Sequence, residues 1–537
     1  MAVESPFPDV SIPDQSLSEF VLDGVADRGD TPAFIDAETG REVTFAELRT
    51  QVDALAAGLF MRGFEYGDVF AIYAPNLPEY PVAFHGVTAV GGVVTTVNPL
   101  STVEELTRQL DDTGATCLLT VPPFADKAAE AADATAIEEV FVLGESEIGT
   151  PFPALFDTEV DPPDVVVEPD DLAVLPYSSG TTGLPKGVEL THRNLVANLC
   201  QMSGVEPPEF DAHDVSIGVL PFYHIYGMNV VMNWHIREGV TVVTGPKFEL
   251  EPFLETLEEH SVTVAYLVPP IVLRLAQEPV VEEYDLSALS LIGSGAAPLP
   301  EEVATACASR LDCLVKQGYG LTEASPTTHF TPRDPDRVRR GTVGPTLPNT
   351  ECRVVDVETG EDLEPGEEGE ILVRGPQVMR GYHNRPDATA NAFEDDWLRT
   401  GDLGVVDEDG YLRVVDRVKE LIKYKGHQIA PAELEGLLME EPAVADAAVV
   451  PKPDRETGEI PKAFVVPDGD IDTDAVKSSV AEHVAPQKNT RDRDHRRDSK
   501  VALWKNSPTG TDRGACRREG RLCSSRRARH AVNQSLH

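Results

Sequence analysis

Twelve residues, Tyr177-Ser178-Ser179-Gly180-Thr181-Thr182-Gly183-Leu184-Pro185-Lys186-Gly187-Val188, put hydroxyls, glycines and one lysine into a single short stretch. That mixture suits phosphate. Glycines at 180, 183 and 187 let backbone N–H groups converge on an anion, Ser178, Ser179, Thr181 and Thr182 add donors, and Lys186 supplies a point charge. The G-x-x-x-x-G-K-[ST] phosphate loop is excluded, because Pro185 stands five residues after Gly180 and Lys186 is followed by glycine. A different nucleotide loop is expected.

Further along, Gln317-Gly318-Tyr319-Gly320-Leu321-Thr322-Glu323 sets a lone carboxylate beside glycines and a hydroxyl. Such a group suits a hard cation that keeps most of its waters. Asp402, in Trp397-Leu398-Arg399-Thr400-Gly401-Asp402, is an acceptor able to take two donors. His224 lies among aromatic residues in Pro221-Phe222-Tyr223-His224-Ile225-Tyr226-Gly227-Met228-Asn229, and a charged connector, Lys419-Glu420-Leu421-Ile422-Lys423-Tyr424-Lys425-Gly426-His427-Gln428, follows Asp416-Arg417.

Together these stretches resemble the adenylate-forming superfamily, which contains acyl-CoA synthetases, luciferases and peptide-synthetase adenylation domains. The segment around His224 and the connector narrow the resemblance to the 4-coumarate:CoA ligase and fatty acyl-CoA synthetase branch, and it covers roughly residues 15–486. It implies an ATP-, Mg²⁺- and coenzyme A-dependent acid:CoA ligase of aromatic- or fatty-acid metabolism, acting through an acyl-adenylate. Residues 178–183 and Lys186 would cradle phosphate, Tyr319 would stack on adenine beside Gly295 and Ala296, Thr322 would meet phosphate, and Glu323 would hold the metal. Asp402 and Arg417 would bind ribose. His224 would stand beside the substrate carboxylate, and Tyr226, Asn229, Gly295, Gly318, Gly320, Pro326 and Thr327 would line the acid pocket. Lys419 would be the hinge of a rotating small domain that brings Lys423 and Gln428 to the site and Gly426 beside the pantetheine tunnel.

Departures are specific. Thr327 and Thr328 stand where the branch commonly has apolar residues, and Gly293 where it often has lysine. The lysine that follows a glycine in the superfamily's last signature is missing, since Gly510 is followed by Thr511. Two further readings therefore stand beside the CoA ligase: transfer of the acyl group to a carrier-protein thiol, and a catalytically impaired acyl- or nucleotide-binding protein.

The elements that must position these groups follow from periodicity. Thr44 and Glu47 form a capping box ahead of an apolar helical pattern through Val52, Leu55 and Leu59. Strands are expected at residues 69–73, 93–97 and 116–120, and their alternation with helices predicts α/β layers with mainly parallel sheets. The expected fold is a large multi-layered N-terminal α/β domain over residues 1–418 with a small mobile α+β domain over 419–486. The small domain should contain a helix at 431–438 and a strand at 443–450.

A 537-residue chain with 41% hydrophobic and 25% charged residues reads as a soluble protein of about two to four domains or subdomains. The apolar stretch 86–97 reads as core, the N-terminus carries no export signal, and the seven scattered cysteines suggest neither disulfides nor zinc, so a cytoplasmic enzyme without a membrane span is expected. A net charge of −46 opposes binding to nucleic acid and resembles the acidic surfaces of proteins that work in high salt. Residues 487–537 reverse the pattern, with fourteen Lys/Arg against five Asp/Glu and no apolar periodicity. That anomalous basic tail is read as translation in a wrong frame rather than as a native RNA- or lipid-binding segment.

Overall fold

Thr44 accepts a hydrogen bond from the Glu47 amide while Glu47 accepts one from the Thr44 amide, and the helix Phe45–Met61 runs on from this cap with Leu48, Val52, Leu55 and Leu59 buried. Reciprocal caps of the same kind start the helices at Ser16, Thr102 and Thr191. The computed structural model describes residues 2–157, 160–178, 185–211, 213–245, 247–418, 420–424, 427–429, 431–439, 441, 443–454, 458–467, 472, 476 and 502–505.

Among the described residues the chain builds four sheets. The sheet that positions most of the candidate residues has eight strands, with a parallel run of Thr241–Thr244, Val215–Gly218, Val264–Leu267, Leu291–Ser294 and Leu314–Gly320 closed by the antiparallel strand Thr327–Phe330. A nine-stranded sheet is parallel through Val93–Thr96, Val69–Tyr73, Cys117–Thr120 and Glu139–Val142. Its antiparallel end carries the hairpin of Tyr177–Ser178 and Lys186–Thr191. Apolar side chains of both sheets and the helices between them form one continuous core that includes Phe34, Phe70, Phe84, Phe222 and Trp234. The stretch 86–97 is almost wholly buried, so its apolar run is core.

A third, six-stranded sheet is antiparallel and contains Gly369–Arg374, Trp397–Val406 and Leu412–Arg417. The strand–helix alternation of the first half of the chain does not extend to it: Trp397–Val406 and Leu412–Arg417 are joined by a short turn and pair antiparallel. From Leu412–Arg417 the chain passes to Ile422–Tyr424, the first strand of a small sheet whose core joins Ile422, Leu434, Leu438, Val449, Ala463 and Val465. Leu421 packs on Leu403 of the large unit. The helix expected at 431–438 is Pro431–Met439, and the strand expected at 443–450 is Val444–Asp454. Lys419, the expected hinge, lies outside the described residues. So does the tail, apart from the strand Ala502–Lys505, which runs parallel to Gly458–Pro467 with Trp504 opposite Phe464.

Candidate active site

The hairpin that should cradle phosphate is held by Tyr177 paired with Gly187 and Ser178 paired with Lys186. Tyr177 donates to Asp112 at 2.7 Å, which pins the first strand to a neighbouring helix. Ser179, Gly180, Thr181, Thr182 and Gly183 lie outside the described residues. At the hairpin base the Lys186 ammonium sits 4.2 Å from the centre of the Tyr382 ring, a cation–π contact.

One segment links this hairpin to the rest of the site. The strand Leu314–Gly320 ends in the single turn Thr322–Ala324, so Tyr319, Thr322 and Glu323 emerge together at the carboxyl end of a parallel strand, the usual position for ligands on such sheets. Glu323 is buried, and its Oε1 accepts from the Ser178 hydroxyl at 2.9 Å and from the Tyr382 hydroxyl at 2.8 Å. Its Oε2 receives no hydrogen bond from the described residues. Four residues earlier, the Tyr319 hydroxyl donates to Asp402 Oδ2 at 2.7 Å, and Arg417 Nε stands 3.3 Å from Asp402 Oδ1. Burial pushes the Asp402 carboxyl up, against the opposing pull of Tyr319 and Arg417. Asp402 and Arg417 face one another across paired strands.

His224 follows a tight turn in which its amide donates to the Pro221 carbonyl at 3.0 Å, and its Nδ1 accepts from the Tyr226 amide at 3.2 Å. A π-helix, Tyr226–Asn233, starts there. Such helices cluster at functional sites because the widened turn re-aims side chains. Gly227 has no alternative residue at this turn, since a Cβ would run into the Pro221 carbonyl oxygen. The half-buried Tyr226 ring lies on Gly295, where an added Cβ would come within 3.0 Å of it.

The remaining pocket candidates divide. Gly318 and Gly320 sit half-buried beside Tyr319, with Gly320 closed against the Pro326 carbonyl. Asn229 is fully buried and its amide is spent on protein, donating to the Ser325 carbonyl at 2.7 Å and accepting from Asn233, so it holds the turn that carries Pro326. Thr327 turns its hydroxyl toward the Met202 sulfur while its amide donates to Asn198. Ala296 is exposed with φ +69°. In the small sheet Lys423 and Gln428 face one another as paired residues of adjacent strands, and Gly426 lies outside the described residues.

The sequence reading missed Tyr382, which contacts both Lys186 and Glu323 from a two-residue strand. No periodicity or composition singles it out; only the pairing of Gly381–Tyr382 with Lys186–Thr191 brings it in. Among the described residues no group of three or more His, Cys, Asp or Glu clusters as a metal cage. With no hydrogen bond to its Oε2 from the described residues, Glu323 is the kind of lone carboxylate that suits a cation keeping most of its waters.

Residues 23–383 match the family model of the AMP-binding enzymes, and residues 433–498 match that of the AMP-binding enzyme C-terminal domain. The chain is 39% identical over 500 residues to the 4-coumarate--CoA ligase of Pinus taeda, covering 89% of this chain and 91% of that one. It superposes on the crystal structure of ATP-bound MatB from Rhodopseudomonas palustris with a TM-score of 0.80 at 32% identity, over 91% of this chain and 95% of that one. With o-succinylbenzoate CoA synthetase of Bacillus subtilis, in complex with its acyl-adenylate intermediate, the TM-score is 0.75 at 26% identity, over 92% and 95% of the two chains. The chain belongs to the AMP-binding, adenylate-forming enzyme family. Within it, the chain is an AMP-forming acid–thiol ligase that joins a carboxylic acid to coenzyme A at the expense of ATP, through an acyl-adenylate. No helix among the described residues is long and apolar enough to cross a membrane.

Proposed function

We propose that the chain activates an aromatic or aliphatic carboxylic acid of the 4-coumarate or fatty-acid kind, with the acid lying along Gly295, Gly318 and Gly320 and its carboxylate beside His224. One observation carries this assignment: the segment from Tyr319 to Glu323 touches the phosphate hairpin through Ser178 and the ribose aspartate through Asp402, so a nucleotide spanning the two has its α-phosphate near Thr322.

The carboxylate oxygen attacks the α-phosphorus, the bond to pyrophosphate breaks, and acyl-AMP forms. The coenzyme A sulfur then attacks the acyl carbonyl carbon and AMP leaves. Asp402 offers two acceptor oxygens to ribose hydroxyls, with Tyr319 and Arg417 fixing its orientation. Lys186 supplies positive charge near the phosphates, and Glu323 is the residue that would hold Mg²⁺, which when bound neutralises the departing pyrophosphate. Lys423 and Gln428 are read as the small domain's contribution, brought in by rotation about Lys419.

The test is pyrophosphate release and coenzyme A consumption over a panel of acids. Both are expected to rise together with one or more acids. Pyrophosphate release without loss of free coenzyme A would favour transfer to a carrier thiol, and neither signal would leave a binding protein. The missing lysine after Gly510 makes a finer prediction: the purified chain converts supplied acyl-AMP to the thioester faster than it makes acyl-AMP from ATP. Restoring a tail with a lysine after the glycine should speed adenylation alone, and equal rates for the two half-reactions in the unaltered chain would overturn this point.

A further inference from the structure

Asn76 follows the strand Val69–Tyr73 in the turn-rich stretch Pro75-Asn76-Leu77-Pro78 and is 6% exposed. Its side chain crosses to the other large sheet. The carboxamide donates to the Gly218 carbonyl and to the Leu220 carbonyl, each at 2.7 Å, and its oxygen accepts from the Phe222 amide at 2.7 Å. Both N–H bonds and the oxygen are thus engaged with backbone, between the end of the strand Val215–Gly218 and the turn that carries His224. Aspartate there would turn a charge on two carbonyl oxygens, and alanine would deprive three backbone groups of these bonds in the interior.

The same turn is gripped from other directions. The buried Thr96 hydroxyl, at the end of the strand Val93–Thr96, donates to the Tyr223 carbonyl at 2.7 Å. Phe34 and Tyr80 meet the fully buried Phe222 ring edge-on, with centroids 6.3 and 5.7 Å away. Beyond Tyr223 the turn closes on itself, since the His224 amide donates to the Pro221 carbonyl and the His224 carbonyl accepts from the Met228 amide at 2.9 Å as the π-helix begins. The backbone at His224 is therefore set upstream by side chains of the nine-stranded sheet and downstream by the π-helix.

We infer that Asn76, supported by Thr96, is a positioning residue that places the His224 imidazole through the backbone of residues 218–223. It acts only through that backbone. Its effect on the reaction rests on the reading of His224 as the neighbour of the substrate carboxylate, where a misplacement of about 1 Å can cost on the order of 10²-fold in rate. The nucleotide candidates Tyr319, Glu323 and Asp402 lie on other elements, so their geometry should be spared.

The test uses the full chain with ¹³C at histidine Cε1, the His224 signal being the one lost in His224→Gln. Asn76→Ala should move that signal and leave those of His192 and His329, assigned in the same way, in place. Thr96→Val, which removes one hydroxyl and keeps the shape, should move it less and serves if Asn76→Ala fails to fold. Calorimetry then compares AMP with the p-coumaroyl and octanoyl sulfamoyl adenosines, non-reactive mimics of the acyl-adenylate. In Asn76→Ala the mimics should bind roughly tenfold more weakly, with AMP within about twofold of wild type, and in a His224→Ala background Asn76→Ala should cost the mimics nothing more. An unmoved His224 signal would overturn the inference, as would the same loss of mimic binding with and without the His224 side chain. A moved signal with mimics that bind wild type no better than AMP, or bind both single variants as they bind wild type, would uphold the positioning and remove the placement of the acid beside His224 instead.

Discussion

Glu323 and Lys186 share a neighbour, Tyr382, but are proposed to serve the metal and the phosphates respectively, so their substitutions should separate. Glu323→Gln replaces an anionic oxygen with a neutral one, and the expected outcome is a raised Mg²⁺ requirement and a fall in pyrophosphate release on the order of 10²-fold, the scale of one charged transition-state contact. Lys186→Ala should weaken ATP binding while leaving the Mg²⁺ titration in place. A Mg²⁺ titration of Glu323→Gln that overlays wild type would show that the carboxylate serves only to hold Ser178 and Tyr382 together. Tyr319 and Asp402 were both legible as chemistry-bearing residues from the stretches around them, but their 2.7 Å hydrogen bond joins positions 83 residues apart and required the fold.

At the scale of elements, the π-helix Tyr226–Asn233 ties three neighbouring segments of the site together. It carries Tyr226 over Gly295, fixes Ser325 through Asn229, and follows directly on His224. Gly227→Ala would press a methyl into the Pro221 carbonyl, so the His224 turn must shift. The expected cost is about 1–3 kcal/mol of stability, with a loss of acyl-adenylate formation larger than the loss of ATP binding, because the residues proposed to contact the nucleotide lie on other elements. Denaturant unfolding and separate nucleotide-binding measurements check this, and wild-type stability with wild-type turnover would show that the turn accommodates the methyl. Apolar periodicity marked the helices and strands here, whereas an i→i+5 pattern has no sequence period of its own to betray it.

Over the whole molecule, a net charge of −46 should destabilise the compact state at low ionic strength. Melting temperature is expected to climb from 0.1 M to molar KCl as the Debye length falls from roughly 10 Å to 3 Å, and a flat profile would remove the high-salt reading. With repulsion screened, a second dependence should emerge. Burial lowers His85 and His329 to about 3 and His192 and His235 to about 4. Below the ordinary histidine value near 6.5 the unfolded chain binds protons that the folded chain refuses, so stability is complete above that pH and is lost as pH falls toward 4, by up to about 1.4 kcal/mol per unit for each histidine. In 1 M KCl the melting temperature should therefore drop between pH 6.5 and 4. A melting temperature constant across that window would mean that these rings take up protons without unfolding.

Residue types and spacing pointed to the adenylate-forming family by resemblance, because the stretches that carry it, residues 177–188, 317–323 and 397–402, are local patterns. They also determined the reciprocal cap at Thr44 and the α/β layering, since capping and apolar period act within a few residues. Tertiary structure alone decided what those local pieces meet. It put Tyr382 between Lys186 and Glu323, spent the Asn229 amide on Ser325, and set the Asn76 carboxamide against the backbone that leads to His224. Each of those contacts depends on strand register or on packing between residues tens to hundreds of positions apart, and a register leaves no mark in any single segment of the chain.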